Sequence, residues 1–215
     1  VLDEEGPISI HDNYTKYLYQ KEFTNLINHI LLWGVKDKFF LNKSDHKKIS
    51  ITGHPKYDLV KKSKNLFKKE IYNIKKKYKK FVFIPGHYSL IDHTKAIKVF
   101  NNALLKKYKN RKKIINKKIL DNDLEAKNYI EFLKLIIELA KKNPSITFVF
   151  RRHPLEDQNL INEFFKQKPK NLKLAYKYVI TPWVSACEYF LHSGCTSVFE
   201  AVAAEKKIIL YNSKK

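Results

Sequence analysis

The chain has 215 residues, enough for one large domain or one and a half smaller ones, and its 43 basic against 21 acidic residues give a formal net charge of +22. All but Arg111, Arg151 and Arg152 of those basic residues are lysine, in a sequence rich in Asn, Ile, Tyr and Phe. The excess therefore reads as lysine filling solvated faces, not as a specific nucleic-acid footprint. No apolar run approaches the roughly 18 residues that span a bilayer as a helix, and Cys187 and Cys195 have neither CxxC nor zinc-ligand spacing. The two cysteines suit a reducing compartment, the cytoplasm, where a basic surface favours peripheral contact with anionic lipid at the inner face of the membrane. The sequence lacks methionine, begins at Val1 and stops just after a predicted strand, so it reads as an internal piece of a longer protein.

In chain order, residues 1–12 read as a strand end and a loop. Lys16 to Ile30 has apolar positions compatible with a helix. ILLWG (30–34) either closes that helix or forms a strand, and KISIT (48–52) is a strand stopped by Gly53-His54-Pro55. Leu59 to Tyr78 reads as one helix, with Leu59, Leu66, Ile71 and Ile74 on recurring turns. FVFI (81–84) is a buried-type strand closed by Pro85-Gly86. Residues 93–120 carry no clear pattern. Asp123 to Lys142 is an amphipathic helix directing Ile130, Leu133, Ile137 and Leu139 to a core, and Asn143-Pro144 ends it.

ITFVF (146–150) is a strand, Asn159 to Phe165 a helix, and Leu172 to Leu174 a short strand. Then follow a strand over Glu188–His192, a helix from about Cys195-Thr196 and a strand over Lys207–Tyr211. Strands and helices alternate from residue 81 onward, which implies a parallel sheet covered on both faces. The expected organisation is a carboxyl-terminal remnant of an α/β domain (1–58), a linker helix (59–80) and a Rossmann-like domain (81–215) truncated at its end.

Three turns carry candidate chemistry. After the strand ending at His192, Ser193, Gly194, Thr196 and Ser197 offer hydroxyls and backbone N–H groups to an anion. Glu200 follows one helical turn later, placed for ribose hydroxyls, so the segment suits a nucleotide diphosphate. An ordinary helix with a Ser/Thr N-cap has the same pattern. After ITFVF come Arg151-Arg152-His153-Pro154, two of the three arginines of the chain, at the carboxyl end of a parallel strand. Arginine forks bind phosphate bidentately, His153 adds a donor, and Glu156 and Asp157 are placed to orient the basic side chains. After FVFI, Gly86 permits close approach of a ligand to backbone, with His87, Tyr88 and His93 as cleft candidates.

His54 and Lys56, in the turn TGHPKYD, are weaker cleft candidates. Asp3-Glu4-Glu5-Gly6 gathers carboxylates that can supply a general base, although exposed acidic loops share that pattern. There is no GxxxxGK[ST], GxGxxG or GxSxG motif.

The ordered set DEEG, WG, TGHPKYD, FRRHPLED and PWVSACEYFLHSGCTSVFEA resembles bacterial surface carbohydrate biosynthesis proteins. These form a glycosyltransferase-B-like group, distantly similar to teichoic-acid glycerophosphotransferases and nucleotide-sugar 2-epimerases. The resemblance covers nearly the whole chain. TGHPKYD departs from the usual TGNPR-F-D form at His54 and Lys56. The resemblance implies two Rossmann-like domains and a nucleotide-activated sugar or polyol donor. Arg152, His153, His192, Ser193, Gly194, Cys195 and Thr196 would hold donor phosphate, Glu200 would reach the ribose, and Glu4 or Glu5 would act as base toward a glycan acceptor. No metal or other cofactor is called for.

The leading expectation is transfer of a sugar or polyol phosphate to a surface glycan. A nucleotide-sugar 2-epimerase shares the fold but needs acid and base groups around the sugar ring, for which no convincing set stands out. A non-enzymatic basic module binding nucleic acid or anionic polymer is the third reading.

Overall fold

In a computed structural model, residues 21–86, 112–154 and 156–212 are described. The chain divides into two compact units, one up to Lys62 and one from Ser63.

The first unit contains α1 (Lys21–Asn25), β1 (Ile30–Leu32), two short 3-10 turns (Val35–Phe40 and Lys43–Lys48) and β2 (Ile49–Ile51). The apolar run ILLWG thus resolves as a strand, which pairs in parallel with β2 in the register Ile30 to Ile49. Ile30, Leu32 and Leu41 form its small core. Buried Asp45 accepts a hydrogen bond from the Thr24 hydroxyl at 3.0 Å. The single helix expected over Leu59–Tyr78 is two, α2 (Pro55–Leu66) and α3 (Lys68–Tyr78), broken at Phe67. The break explains why the helical period fails across it. Ile71, Ile74 and Tyr78 are buried on α3, whereas Leu59 and Leu66 on α2 are exposed.

The second unit is an α/β, Rossmann-like arrangement. Its strands are β3 (Phe81–Pro85), β4 (Thr147–Arg151), β5 (Leu172–Ala175), β6 (Tyr189–His192) and β7 (Lys207–Leu210). They form one sheet in the order β5-β4-β3-β6-β7, with every pair parallel. Five consecutive buried residues make β3 the centre, as a parallel strand covered on both faces requires. Alternate residues feed two cores. Phe81, Phe83, Val149 and Phe190 pack on α3, α6 (Ile180–Ala186) and α7 (Val198–Ala203). Val82, Ile84, Phe148, Phe150 and Leu191 pack under α4 (Lys112–Lys142), with Ile161 of α5 (Gln158–Phe164).

Two elements differ from the sequence reading. α4 begins at Lys112, eleven residues before the predicted start, and its buried stripe is Tyr129, Phe132, Leu133, Ile136 and Ala140. That spacing follows the helical period, and Ile130 falls on its flank, 44% exposed. α6 has no counterpart in the sequence reading. Its Pro182 lies in the first helical turn, where a missing N–H costs nothing, and Trp183 and Val184 anchor it in the core.

Candidate functional site

The chain passes from β3 to β4 to β5 in one direction and then returns to place β6 on the other side of β3. The carboxyl ends of β3 and β6 therefore flank a topological switch point, where open α/β sheets form their ligand crevices. The ends of β4 and β6 lie two strand spacings apart on this same edge, roughly 10 Å.

At the β3–β4 side, the Gly86 amide donates to the Arg151 carbonyl at 2.8 Å. Gly86 does receive a close approach, but from within the chain. The Glu156 carboxylate occupies the space that a Cβ at residue 86 would need. Glu156 is 2% exposed. Its Oε1 accepts from the Tyr129 hydroxyl at 2.7 Å and its Oε2 from the His153 amide at 2.6 Å. Glu156 was expected to orient the basic side chains. Its carboxylate takes the Tyr129 hydroxyl and the His153 amide, and its carbonyl takes the arginine.

Arg152 Nη1 donates to the carbonyls of His153, Pro154 and Glu156 at 3.0, 3.0 and 2.7 Å. The fork expected to face phosphate is thus divided, with one terminal nitrogen closing the 152–156 loop. The guanidinium carbon lies 6.0 Å from the Tyr176 ring centroid. Arg151 Nη2 donates to the Tyr178 carbonyl at 2.8 Å, tying the end of β4 to the turn after β5. Both Nε atoms are buried with no hydrogen-bond partner among the described residues.

Burial lowers the Arg151 pKa, with a further contribution from Arg152. Burial, then Arg151, then Arg152 lower that of His153, so its imidazole is neutral near pH 7. The loop concentrates fixed positive charge where buried donors remain unpaired, a setting that favours an anion.

At the β6 side, His192 is buried and its pKa lowered by that burial. Its Nδ1 accepts from the Gly194 amide at 3.1 Å, which leaves the ring proton on Nε2 in the neutral form. Gly194 has φ +110°, a conformation that favours glycine. Gly194 and Thr196 are exposed and Ser193 half-buried. The Cys195 side chain lies in the core and burial pushes its thiol up to about 11, so only its backbone is on offer to a ligand.

The helix begins at Val198, after a turn at Thr196-Ser197, and not at Cys195-Thr196. Glu200 is buried, and its Oε2 accepts from the Thr181 hydroxyl of α6 at 2.8 Å. A ribose contact would compete with that internal bond.

His54 and Lys56 belong to the first unit. His54 Nδ1 accepts from the Lys56 amide at 3.0 Å, and its ring packs edge-on to Trp33 at 4.2 Å. His54 Nε2 is buried with no hydrogen-bond partner among the described residues. Glu4, Glu5, His87 and His93 lie outside the described residues. Among the described residues no cluster of His, Cys, Asp or Glu is placed to hold a metal ion, and no helix is long and apolar enough to cross a membrane. The contributions of Tyr129 and Thr181 were absent from the sequence reading, since neither residue stands in a motif.

The architecture is of the glycosyltransferase-B-like kind. The solved structures it resembles include the UDP-GlcNAc 2-epimerase of Neisseria meningitidis bound to UDP-GlcNAc, at 16% identity and TM-score 0.55 over 98% of this chain and 51% of that one. They also include the enzyme of the same name from Methanocaldococcus jannaschii, at 14% identity and TM-score 0.56 over 98% of this chain and 54% of that one. The latter's complex with UDP-GlcNAc and UDP aligns at 15% identity and TM-score 0.54, over 86% and 46% respectively. The chain thus spans about half the length of these structures. No family model and no curated protein matches the sequence.

Proposed function

We propose that this chain is part of an enzyme that binds a nucleotide-activated donor and transfers its sugar or polyol phosphate to a surface glycan. The observation that carries this reading is the common placement of the Arg151–His153 loop and the His192–Thr196 turn on the carboxyl edge, either side of β3. The donor diphosphate would lie between them. The unpartnered Nε groups of Arg151 and Arg152 would face its charge, and the amides of Cys195 and Thr196 would complete the cradle, the Gly194 amide being held by His192. In such a transfer the charge developing on the leaving nucleotide, a nucleoside diphosphate when the sugar moves and a nucleoside monophosphate when the polyol phosphate moves, is stabilised by preorganised donors. His153 and His192, both neutral, would serve as hydrogen-bond donors and not as fixed cations. Glu200 would exchange its Thr181 partner for a ribose hydroxyl. Residues 1–58 are assigned to the acceptor side, with Glu4 or Glu5 as base.

A second reading, a nucleotide-sugar 2-epimerase, is favoured by the solved structures that share the fold. Against it, Glu156 and Glu200 at the described edge are buried and hydrogen-bonded internally, and Asp157 beside Glu156 caps α5. Either glutamate would have to give up an internal partner to work on a sugar ring, as Glu200 would to reach the ribose. Incubation of the full-length protein with UDP-sugars, followed by NMR of the products, separates the two. Transfer to an added glycan supports the proposal. Inversion at C2 without acceptor establishes the epimerase, and absence of any nucleotide binding removes both.

A further inference from the structure

A groove runs along the outer side of β5, the terminal strand on its side of the sheet. Two adjoining cavities of about 350 and 510 Å³ lie along it, sharing Lys77, Tyr78, Leu174 and Tyr176. Both volumes fall within the range of about 300–1,000 Å³ usual for small-ligand sites. Buried Tyr78 and Trp183 form the floor, with ring centroids 5.7 Å apart. Above them, Tyr176 and Tyr178 remain 41% and 38% exposed.

Trp183 Nε1 donates to the Lys177 carbonyl at 2.7 Å and Arg151 donates to that of Tyr178, so the turn carrying these rings is held from two sides. Tyr178 is kept at φ +67°. A bulky side chain tolerates that conformation poorly, and such strain persists where surrounding structure enforces it, often at ligand sites. Lys77, Lys168, Lys173 and Lys177 line the walls, and no carboxylate lines either cavity among the described residues.

We propose that this groove binds an anionic oligosaccharide. Sugar rings present apolar C–H faces that lie flat on tyrosine, and acidic substituents along the chain pair with the four lysines. Charge complementarity argues for an anion, and the paired exposed rings argue for a carbohydrate. A peptide adding to the sheet is opposed by the lysines flanking the edge, a device that blocks strand addition. The inference rests on the groove alone and not on the nucleotide site.

The test is titration of the full 215-residue chain with oligogalacturonate, maltohexaose and polyglutamate of matched length, in parallel with a nucleoside diphosphate. Lys168→Glu/Lys173→Glu should weaken oligogalacturonate binding by about tenfold or more, the effect of about 1.4 kcal/mol. Lys134→Glu/Lys141→Glu, on exposed positions of α4, removes the same charge elsewhere and should weaken it much less. Tyr176→Ala should weaken oligogalacturonate and leave polyglutamate unchanged. Nucleoside diphosphate affinity should stay the same in Lys168→Glu/Lys173→Glu, which separates this inference from the donor-site proposal; Tyr176→Ala, whose ring neighbours Arg152, is read only on oligogalacturonate and polyglutamate. Equal losses in the two lysine pairs would reduce the groove to diffuse charge. Tighter binding of polyglutamate, or equal binding of neutral maltohexaose, would overturn the ligand class.

Discussion

The contact between Gly86 and Glu156 makes a quantitative claim about coupling. Gly86 lies at the end of the central strand, and a methyl group added there would meet the Glu156 carboxylate well inside van der Waals distance. Gly86→Ala should therefore destabilise the chain by about 1–3 kcal/mol, the cost of overpacking a well-filled site. Glu156→Ala removes the acceptor of the Tyr129 hydroxyl and the His153 amide. Each donor left unsatisfied in a buried setting costs about 1–3 kcal/mol, partly offset because a buried charge is also removed.

In the double variant the two methyl groups share the space the carboxylate vacated, so Gly86→Ala should then cost less than about 0.5 kcal/mol. The two changes should thus couple favourably, by about 0.5 kcal/mol at the low end of that range and about 2.5 kcal/mol or more at the high end. Urea unfolding of the four proteins, read as midpoint and slope, measures this. Independent sites add within about 0.3–0.5 kcal/mol. Additive losses would show that Glu156 does not hold the position described, and the geometry of the loop after β4 would fall with it.

Other expectations follow from the same edge. Arg152→Ala should weaken nucleoside diphosphate binding by roughly 1.5–3 kcal/mol, the range for hydrogen bonds to charged groups, and Arg152→Lys should recover only part of it for want of the planar fork. The same change should also lower the unfolding midpoint, because Nη1 holds three loop carbonyls; unchanged stability would mean the loop closes without it. Glu200→Gln should weaken ribonucleotides more than 2′-deoxy analogues in titration calorimetry, and equal losses would remove Glu200 from the ribose role.

Stability should be highest between about pH 6.5 and 9. Above pH 9 the unfolded chain ionises thiols that the fold keeps protonated, since burial raises Cys187 to about 12 and Cys195 to about 11, so stability falls as pH rises. Below pH 6.5 the unfolded chain protonates His153 and His192, whose pKa values the fold lowers, so stability falls as pH drops. Denaturant midpoints from pH 5 to 11 check both limbs, and Cys187→Ala/Cys195→Ala should flatten the alkaline one.

The inner strands β3, β4 and β6 were legible because parallel strands covered on both faces are largely apolar runs. FVFI, ITFVF and EYFLH need no partner to be recognised. Gly86 and Gly194 were legible as points of special backbone, since glycine after a strand signals a turn or a close approach. The break at Phe67 was not, because helical propensity continues across it on both sides. Nor was α6, whose seven residues are helical through the burial of Trp183 and Val184 and not through any long periodic stripe.

What approaches Gly86, and where the Arg152 fork points, depends on contacts made only after the sheet assembles. Tyr129 reaches Glu156 across 27 residues, Arg151 reaches Tyr178 across 27, and Thr181 reaches Glu200 across 19. Local sequence supplies the donors and acceptors. Which of them pair is decided by the order β5-β4-β3-β6-β7, which sets the ends of β4 and β6 on either side of β3. Burial then forces each polar group at that edge to find a partner within the fold or in a ligand.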